Sequence, residues 1–146
     1  MHVTPLTVRF DEVDSMGVVH HPRYVIYFEI ARTQYMTDLG LPYRDVMESG
    51  THLAVIDVAV RYLRSARYQD ELQVTTRCVE AGRTRVTMRY EVRRGAELLA
   101  TGSTRLASVS PAGRPVRMPG HLRELFTSVL ELDAEEAAAI ERPTGE

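Results

Sequence analysis

The chain has 146 residues, of which 44% are hydrophobic and 26% charged, and its formal net charge is −2. This length fits one domain, and the composition is that of a globular protein rather than a disordered one. The small negative charge argues against nucleic acid as the main partner, because phosphate binding usually needs a basic excess. We find no apolar run long enough to span a bilayer and no secretory signal after Met1, which favours the cytoplasm.

The basic residues and the single cysteine restrict the chemistry further. All 18 basic residues are Arg, since the chain contains no Lys. Any phosphate or carboxylate is therefore expected to be held by Arg, His or backbone groups. Cys78 cannot form an internal disulfide, and its place in an apparent strand favours a small buried side chain over a nucleophile.

The first third of the chain predicts a strand, a loop and a long helix. Residues 3–10 show approximate alternation, which predicts a strand, and residues 11–20 predict a Gly-containing loop. Pro22 suits the first position of a helix and Gly40 suits its C-terminal stop. Apolar residues between them occupy nearly every side, which predicts a helix that is buried on most sides. A short second helix is expected at 42–49.

The remaining sequence changes to a β pattern. Stretches rich in Val, Thr, Tyr and Leu predict four strands, at residues 53–63, 72–80, 86–92 and 98–109. Residues 121–132 predict an amphipathic helix, and the acidic, Ala-rich stretch after it is expected to be helical or frayed. Strands of this length cover one apolar helix only if their sheet curls round it. We expect one domain at 1–132 and an acidic C-terminal tail at 133–146.

The segment from Phe10 to Tyr24 combines several carboxylates, a Gly turn and a helix start. The N–H groups at a helix start have no intrahelical partner and carry partial positive charge, so they can bind a developing oxyanion. A carboxylate opposite them can attack a carbonyl or take a proton from water. By themselves these residues are compatible with acyl transfer, although acidic loops before helices are common and usually only solvated or capping.

This segment resembles the signature of the 4-hydroxybenzoyl-CoA thioesterase family and of the short-chain acyl-CoA thioesterases found beside bacterial Tol–Pal genes. The matching residues are Asp14-Ser15-Met16-Gly17-Val18-Val19-His20-His21, then Tyr24, then Phe28-Glu29-Ile30-Ala31-Arg32. The likeness continues through Tyr62, Ala66 and Asp70-Glu71-Leu72 to Gly113-Arg114-Pro115-Val116 and Pro119. It therefore covers most of the chain, from about residue 5 to about residue 126.

The resemblance implies an α+β hotdog fold, in which a curled five-stranded antiparallel sheet wraps around one long central helix. It implies an acyl-CoA substrate and homodimers or homotetramers with active sites between subunits. It places Asp14 at the catalytic position, as nucleophile or general base. It also places Gly17 in a tight turn near the thioester and the backbone N–H of His21 against the thioester carbonyl. No cofactor is expected, because CoA is part of the substrate.

Other residues near this motif are candidates for substrate contact. His20 and Tyr24 flank the helix start, although an aromatic residue on such a helix more often belongs to the core. Arg83 and Arg85 fall in the region that lies near the nucleotide end of CoA in the family, where they can hold phosphates through charge-assisted forks. Exposed strand-end charges explain these two arginines at least as well.

Three further expectations concern neighbouring polar residues. Adjacent histidines without Cys or another His nearby make a poor metal site, so no metal is expected. Asp11 and Glu12 are expected to be solvated or salt-bridged at a strand end. Glu29 and Arg32, spaced i, i+3, are expected to pair on the helix.

The predicted function is hydrolysis of acyl-CoA thioesters to free CoA and a carboxylic acid. Two alternatives stay open: hydrolysis of acyl carrier protein thioesters, and binding of acyl-CoA without catalysis. The presence of Asp14, Gly17 and the helix start favours hydrolysis over binding alone. The acyl group is left undetermined, because pocket depth depends on side chains from two subunits.

Overall fold

The computed structural model describes residues 1–141. Within this range the chain forms five strands, three α-helices and one 3-10 turn. Their bounds are β1 His2–Thr7, the 3-10 turn Phe10–Glu12, α1 Arg23–Asp38, α2 Tyr43–Glu48, β2 His52–Tyr62, β3 Glu71–Ala81, β4 Arg85–Arg94, β5 Glu97–Val109 and α3 Gly120–Glu141. None of the helices in the described range is both long and apolar enough to cross a bilayer.

The five strands form one antiparallel sheet in the order β1-β3-β4-β5-β2. Pairing shifts at three bulges, between Val55 and Asp57, between Cys78 and Glu80, and between Val92 and Arg93. Bulges bend a strand and increase its twist. The sheet accordingly curls, and α1 contacts both edge strands, β1 and β2, as well as β3, the neighbour of β1.

The main core lies between α1 and the concave face of the sheet. On β4 the side chains alternate, so that Met88 and Tyr90 are buried while Arg89 between them is exposed. Phe28 of α1 is 0% exposed and stacks on Tyr90, with ring centroids 4.4 Å apart. Gly102 of β5 lies against the same ring, where an added Cβ would come within 2.4 Å of it. Glycine at this position therefore permits the close approach of helix and sheet.

The predicted fold class is confirmed, since one curled, five-stranded antiparallel sheet covers one long helix. The four later strands lie within two residues of their predicted bounds. The first strand is shorter than predicted, because the chain turns into a 3-10 helix at Phe10–Glu12. Pro22, predicted at the first helical position, occupies instead the N-cap position just before the first helical residue, Arg23, and makes no side-chain capping bond.

The surroundings of α1 differ from the prediction in two respects. Ile26 and Ile30 are 41% and 44% exposed, so a single chain does not bury the helix on most sides. Arg32 does not pair with Glu29. Its Nη1 donates instead to the hydroxyls of Tyr90 at 3.2 Å and Thr104 at 3.5 Å, because the curl of the sheet brings those groups beneath the helix.

The last helix, α3, continues through Asp133, the residue at which the predicted tail begins. Asp133 is 2% exposed, and its carboxylate accepts hydrogen bonds from the Cys78 N–H at 2.6 Å and the Tyr35 hydroxyl at 2.9 Å. These bonds join α3 to β3 and to α1. The division into a domain at 1–132 and a tail at 133–146 stays a prediction, and residues 142–146 lie outside the described residues.

Cys78 is buried, as its place in a strand predicts. It is 2% exposed, and burial raises the pKa of its thiol to about 12. A thiol that stays protonated at neutral pH is a poor nucleophile. Cys78 is therefore a core residue.

Candidate functional site

A cavity of about 340 Å³ opens where the Asp14 loop, the start of α1 and the end of β2 meet. Its lining residues come from three separate chain segments: Asp14, Val18, Val19, His21, Tyr24, Tyr62, Leu63, Arg64 and Ser65. One wall carries a carboxylate, and another is formed by a helix N-terminus. A carboxylate opposite a helix N-terminus is an arrangement compatible with acyl transfer.

The Asp14 loop is a tight turn that holds its own carboxylate. The Asp14 N–H donates to the Val18 carbonyl at 2.9 Å, and the Gly17 N–H donates to the Asp14 carbonyl at 3.0 Å. Gly17 has φ +76°, a conformation that side chains disfavour. The Met16 N–H donates to Asp14 Oδ1 at 2.8 Å. Oδ2 has no hydrogen-bond partner within residues 1–141, so one carboxylate oxygen is oriented by the loop while the other makes no hydrogen bond to the described chain.

Glu12 fastens the loop to the body of the protein. It is 7% exposed, and its Oε1 accepts hydrogen bonds from the Arg9 N–H at 2.7 Å and the Tyr27 hydroxyl at 3.3 Å. Burial, together with the Glu12 charge, raises the pKa of Tyr27. The expectation of a solvated or salt-bridged strand end is therefore wrong for Glu12. It holds for Asp11, which is exposed and lies 3.3 Å from Arg9.

The start of α1 presents an unused backbone donor to this region. The His21 N–H donates to no acceptor in the described part of the chain, whereas the His21 carbonyl accepts a hydrogen bond from the Tyr62 hydroxyl at 2.7 Å. The Tyr62 ring meets the Tyr24 ring edge to face, with centroids 5.2 Å apart. Tyr24 is 2% exposed, and burial raises the pKa of its hydroxyl. Tyr62 thus holds the helix start from the opposite wall.

The structure brings three of the predicted site residues to this cavity and leaves the others outside it. Asp14, His21 and Tyr24 line it. Gly17 shapes the loop but does not line the cavity, and the exposed His20 ring packs edge to face against His21 at 4.7 Å.

Arg83 and Arg85 lie elsewhere, at the turn between β3 and β4. Both side chains are exposed, and neither lines the cavity. The Arg83 carbonyl accepts the Met118 N–H at 2.9 Å, which ties the turn to the loop before α3. Within one chain, these arginines and Asp14 do not share a site.

Arg64 supplies positive charge to the cavity. Its Nη1 lies 3.0 Å from Glu97 Oε2, and Glu97 is also paired with Arg94. Arg94 in turn lies 2.6 Å from Asp70. Hydrogen bonds from Arg94 and Arg64 lower the pKa of Glu97. Burial alone would raise the pKa of Asp70, but the Arg67 N–H and the Arg94 guanidinium together lower it.

Within residues 1–141 there is no group of three or more His, Cys, Asp or Glu side chains placed to hold a metal ion. His20 and His21 are adjacent, but no third such side chain joins them in that range. That the protein uses no metal remains a prediction.

Sequence reasoning missed Tyr62 and Arg64 as site residues. Both are exposed although they stand at the end of a strand rich in apolar residues. The available signal was the polar break at Arg64-Ser65, which ends the strand pattern two residues after Tyr62. Nothing local to that segment indicates that it faces the Asp14 loop.

The fold and cavity can be compared with known proteins. A family model described as the thioesterase-like superfamily matches residues 8–126. The chain belongs to this superfamily. The match includes both the Asp14 loop and the end of β2, so the whole cavity lies inside the shared domain.

Individual members of the superfamily resemble this protein to different extents. A solved DHNA-CoA thioesterase from Staphylococcus aureus is 32% identical, with a TM-score of 0.86 and coverage of 92% of this chain and 93% of that one. The acyl-CoA thioesterase YbgC of Haemophilus influenzae is 27% identical over 84% of this chain and 91% of its own length. A putative acyl-CoA thioesterase of Bacillus subtilis, YneP, is 35% identical. The matched segment covers 52% of this chain and 56% of that relative.

These comparisons confirm two predictions, the hotdog class of fold and the thioester hydrolase class of enzyme. The narrower assignment to the 4-hydroxybenzoyl-CoA thioesterase family stays a prediction. So do the catalytic and substrate-binding roles of the individual residues.

Proposed function

We propose that this protein hydrolyses acyl-CoA thioesters to free CoA and a carboxylic acid, with Asp14 as the catalytic carboxylate. The observation that carries the proposal is the shared cavity of Asp14 and His21. Its relatives named as acyl-CoA thioesterases support the choice of substrate class.

Two routes are compatible with this geometry. As a general base, Asp14 takes a proton from water while the water oxygen attacks the thioester carbon, and the tetrahedral intermediate then breaks its C–S bond and expels the CoA thiolate. As a nucleophile, its free oxygen attacks that carbon and expels the CoA thiolate, and water then cleaves the resulting anhydride. In both routes the carbonyl oxygen gains negative charge, which the unpaired His21 N–H and the partial positive charge of the α1 start stabilise. Proton return to the thiolate completes either route.

We infer that the remaining predicted residues act on the CoA part of the substrate. Tyr24 contributes an aromatic wall, and His20 stands beside the helix start. Arg83 and Arg85 are exposed and carry no ion pair within residues 1–141, which leaves their guanidinium groups available for phosphates. Because they lie outside the Asp14 cavity, they would serve a substrate that extends along the surface or a neighbouring subunit.

We also propose that the protein is a homodimer or homotetramer. β2 is an edge strand, and its exposed apolar residues include Val55, Ile56 and Val58, which are 47%, 48% and 38% exposed. An exposed apolar edge strand readily pairs with another chain. Sedimentation velocity tests this: Ile56→Lys should shift the protein towards smaller species, and an unchanged profile would refute pairing through β2.

The activity is tested by thiol release from short-chain, long-chain and aromatic acyl-CoAs. Asp14→Asn should lower kcat by about 10²- to 10⁴-fold, the range that one general acid or base contributes. Asp11→Asn is the matched control, because it neutralises a nearby exposed carboxylate, and its rate should stay close to wild type. Wild-type rates in Asp14→Asn would refute the site.

The same assay separates the alternative functions. Turnover of acyl carrier protein thioesters without turnover of any acyl-CoA would favour the acyl carrier protein thioesterase. Acyl-CoA binding without turnover of either substrate class would favour a non-catalytic binding protein.

A further inference from the structure

The convex face of the sheet carries a second and larger cavity, of about 890 Å³. The charged side chains that line it among the described residues are four arginines and one glutamate: Arg61, Arg77, Arg89, Arg93 and Glu91. Four positive charges minus one negative charge give +3, whereas the whole chain has a formal net charge of −2. Positive charge is therefore concentrated on this face.

Two of these arginines stand directly opposite each other. Arg77 of β3 pairs with Arg89 of β4 in the sheet register, and like charges at such positions repel. Neither forms an ion pair within residues 1–141, whereas Arg93 lies 3.1 Å from Glu91. Among the described residues, no carboxylate oxygen lies within 4 Å of either guanidinium group. A bound anion would relieve the repulsion.

The other lining groups match a phosphorylated organic molecule. Ser103 is opposite Arg89 on the next strand, so a hydroxyl stands in the same row as the two guanidinium groups. Neighbouring strands are about 4.8 Å apart, so groups in this row can contact adjoining phosphates. One side of the cavity is apolar, formed by Ala137 and Ile140 of α3. Its volume is within the range of small-ligand sites.

We propose that this cavity binds a nucleoside di- or triphosphate, with Arg77 and Arg89 holding the phosphates and the α3 side contacting the nucleoside. The proposal does not rest on the proposed function. These side chains project from the convex face of the sheet, whereas Asp14 and Tyr24 are at the cavity beside α1 on its concave side. A nucleotide bound here would not react, because Asp14 does not line this cavity. It would act as a regulatory or stabilising ligand.

Isothermal titration calorimetry at low salt tests the proposal, with ADP, pyrophosphate and adenosine as probes. We expect ADP to bind more tightly than pyrophosphate, and adenosine to bind weakest. Arg77→Gln with Arg89→Gln should weaken ADP binding tenfold or more. Arg44→Gln with Arg123→Gln, which removes two exposed charges elsewhere, should leave it unchanged.

The stability of the variant must be measured as well, so that loss of ADP binding is not confused with unfolding. Thermal melting should show the Arg77→Gln, Arg89→Gln protein to be at least as stable as wild type, because a repulsive pair has been removed. Absence of ADP binding, or equal binding by wild type and this variant, would overturn the proposal. If Arg83→Gln with Arg85→Gln abolishes ADP binding while Arg77→Gln with Arg89→Gln does not, the nucleotide binds at the β3–β4 turn. That result would also overturn the proposal. If the Arg77→Gln, Arg89→Gln protein sediments differently from wild type and wild type does not bind ADP, this face is an interface between copies of the chain. That result also contradicts the proposal.

Discussion

At the scale of single residues, the site depends on how Tyr62 and Glu12 hold the groups around Asp14. Tyr62 bonds the His21 carbonyl across 41 residues of sequence, and Glu12 bonds Tyr27 beneath the loop. Neither contact follows from the local pattern around the residue. Asp14 and His21 could be predicted as candidate site residues because the signature that contains them spans eight consecutive positions.

Replacing Tyr62 with Phe tests the hold on the helix start. The hydroxyl bond to the His21 carbonyl is lost while the ring is kept, so kcat for acyl-CoA hydrolysis should fall about three- to tenfold, the equivalent of one ordinary hydrogen bond. Steady-state kinetics provide the measurement. Tyr68→Phe is the control, because both rings are 48% exposed and the Tyr68 hydroxyl makes no hydrogen bond within residues 1–141. Equal effects in the two variants would argue against a positioning role.

At the scale of elements, the periodicity of the side chains predicts whether a segment is a helix or a strand. The contacts between elements depend on how the sheet bends at its bulges. The alternation in β4 predicts a strand with one buried face, and the structure confirms it. The pairing of β2 with β5 rather than with β3 is not visible in that pattern. The close contact of Phe28 with Gly102 arises only once the sheet has curled.

Gly102→Ala tests this contact. The new Cβ would lie 2.4 Å from the Phe28 ring and 2.8 Å from the Ala59 carbonyl oxygen, and the backbone cannot yield easily. Overpacking of this kind should lower the free energy of unfolding by about 1–3 kcal/mol in urea titrations. Gly120→Ala is the control, since no heavy atom lies within 4 Å of its added Cβ. A urea midpoint equal to that of wild type would show that α1 shifts enough to accommodate the added methyl group, which would contradict the prediction.

Asp133→Ala tests whether α3 is part of the folded domain. The change leaves the buried Cys78 N–H and Tyr35 hydroxyl without their acceptor, at a cost of about 1–3 kcal/mol each. Urea unfolding should show this loss, while Glu135→Ala, an exposed change on the same helix, should show little. If both variants unfold like wild type, the stretch from residue 133 behaves as the tail that the sequence predicts.

At the scale of the whole molecule, ion pairs on the surface connect the end of β2 to the β4–β5 hairpin. Arg94 lies between Asp70 and Glu97, and Glu97 also holds Arg64 at the cavity. The pKa values of both carboxyl groups are lowered in the folded protein. This network joins two segments of chain, the β2–β3 connection and the β4–β5 hairpin, and it stabilises the fold only when the carboxylates are charged.

The network predicts a pH-dependent effect of Arg94→Gln. A lowered folded pKa contributes stability that is present above the unfolded pKa, about 4, and is lost as pH falls through the folded value. The melting temperature of the variant should therefore be below that of wild type at pH 6 to 7, and the two should converge between about pH 5 and pH 2. Arg44→Gln, which removes an exposed pair 3.8 Å long, should show no such convergence. A constant difference at every pH would contradict the assignment.

The sequence alone predicted the fold class and the order and type of the elements, apart from the 3-10 turn at Phe10–Glu12, and it indicated the Asp14 motif as the candidate site. These follow from side-chain periodicity, helix stops and a short consecutive signature, which are local properties of the chain. Tertiary structure decided which distant residues complete the cavity, namely Tyr62 and Arg64, and that Glu12 and Asp133 are buried. It also decided that Arg77 meets Arg89. Such contacts depend on strand register and sheet curl, because a bulge or a shift of one residue changes which side chains meet.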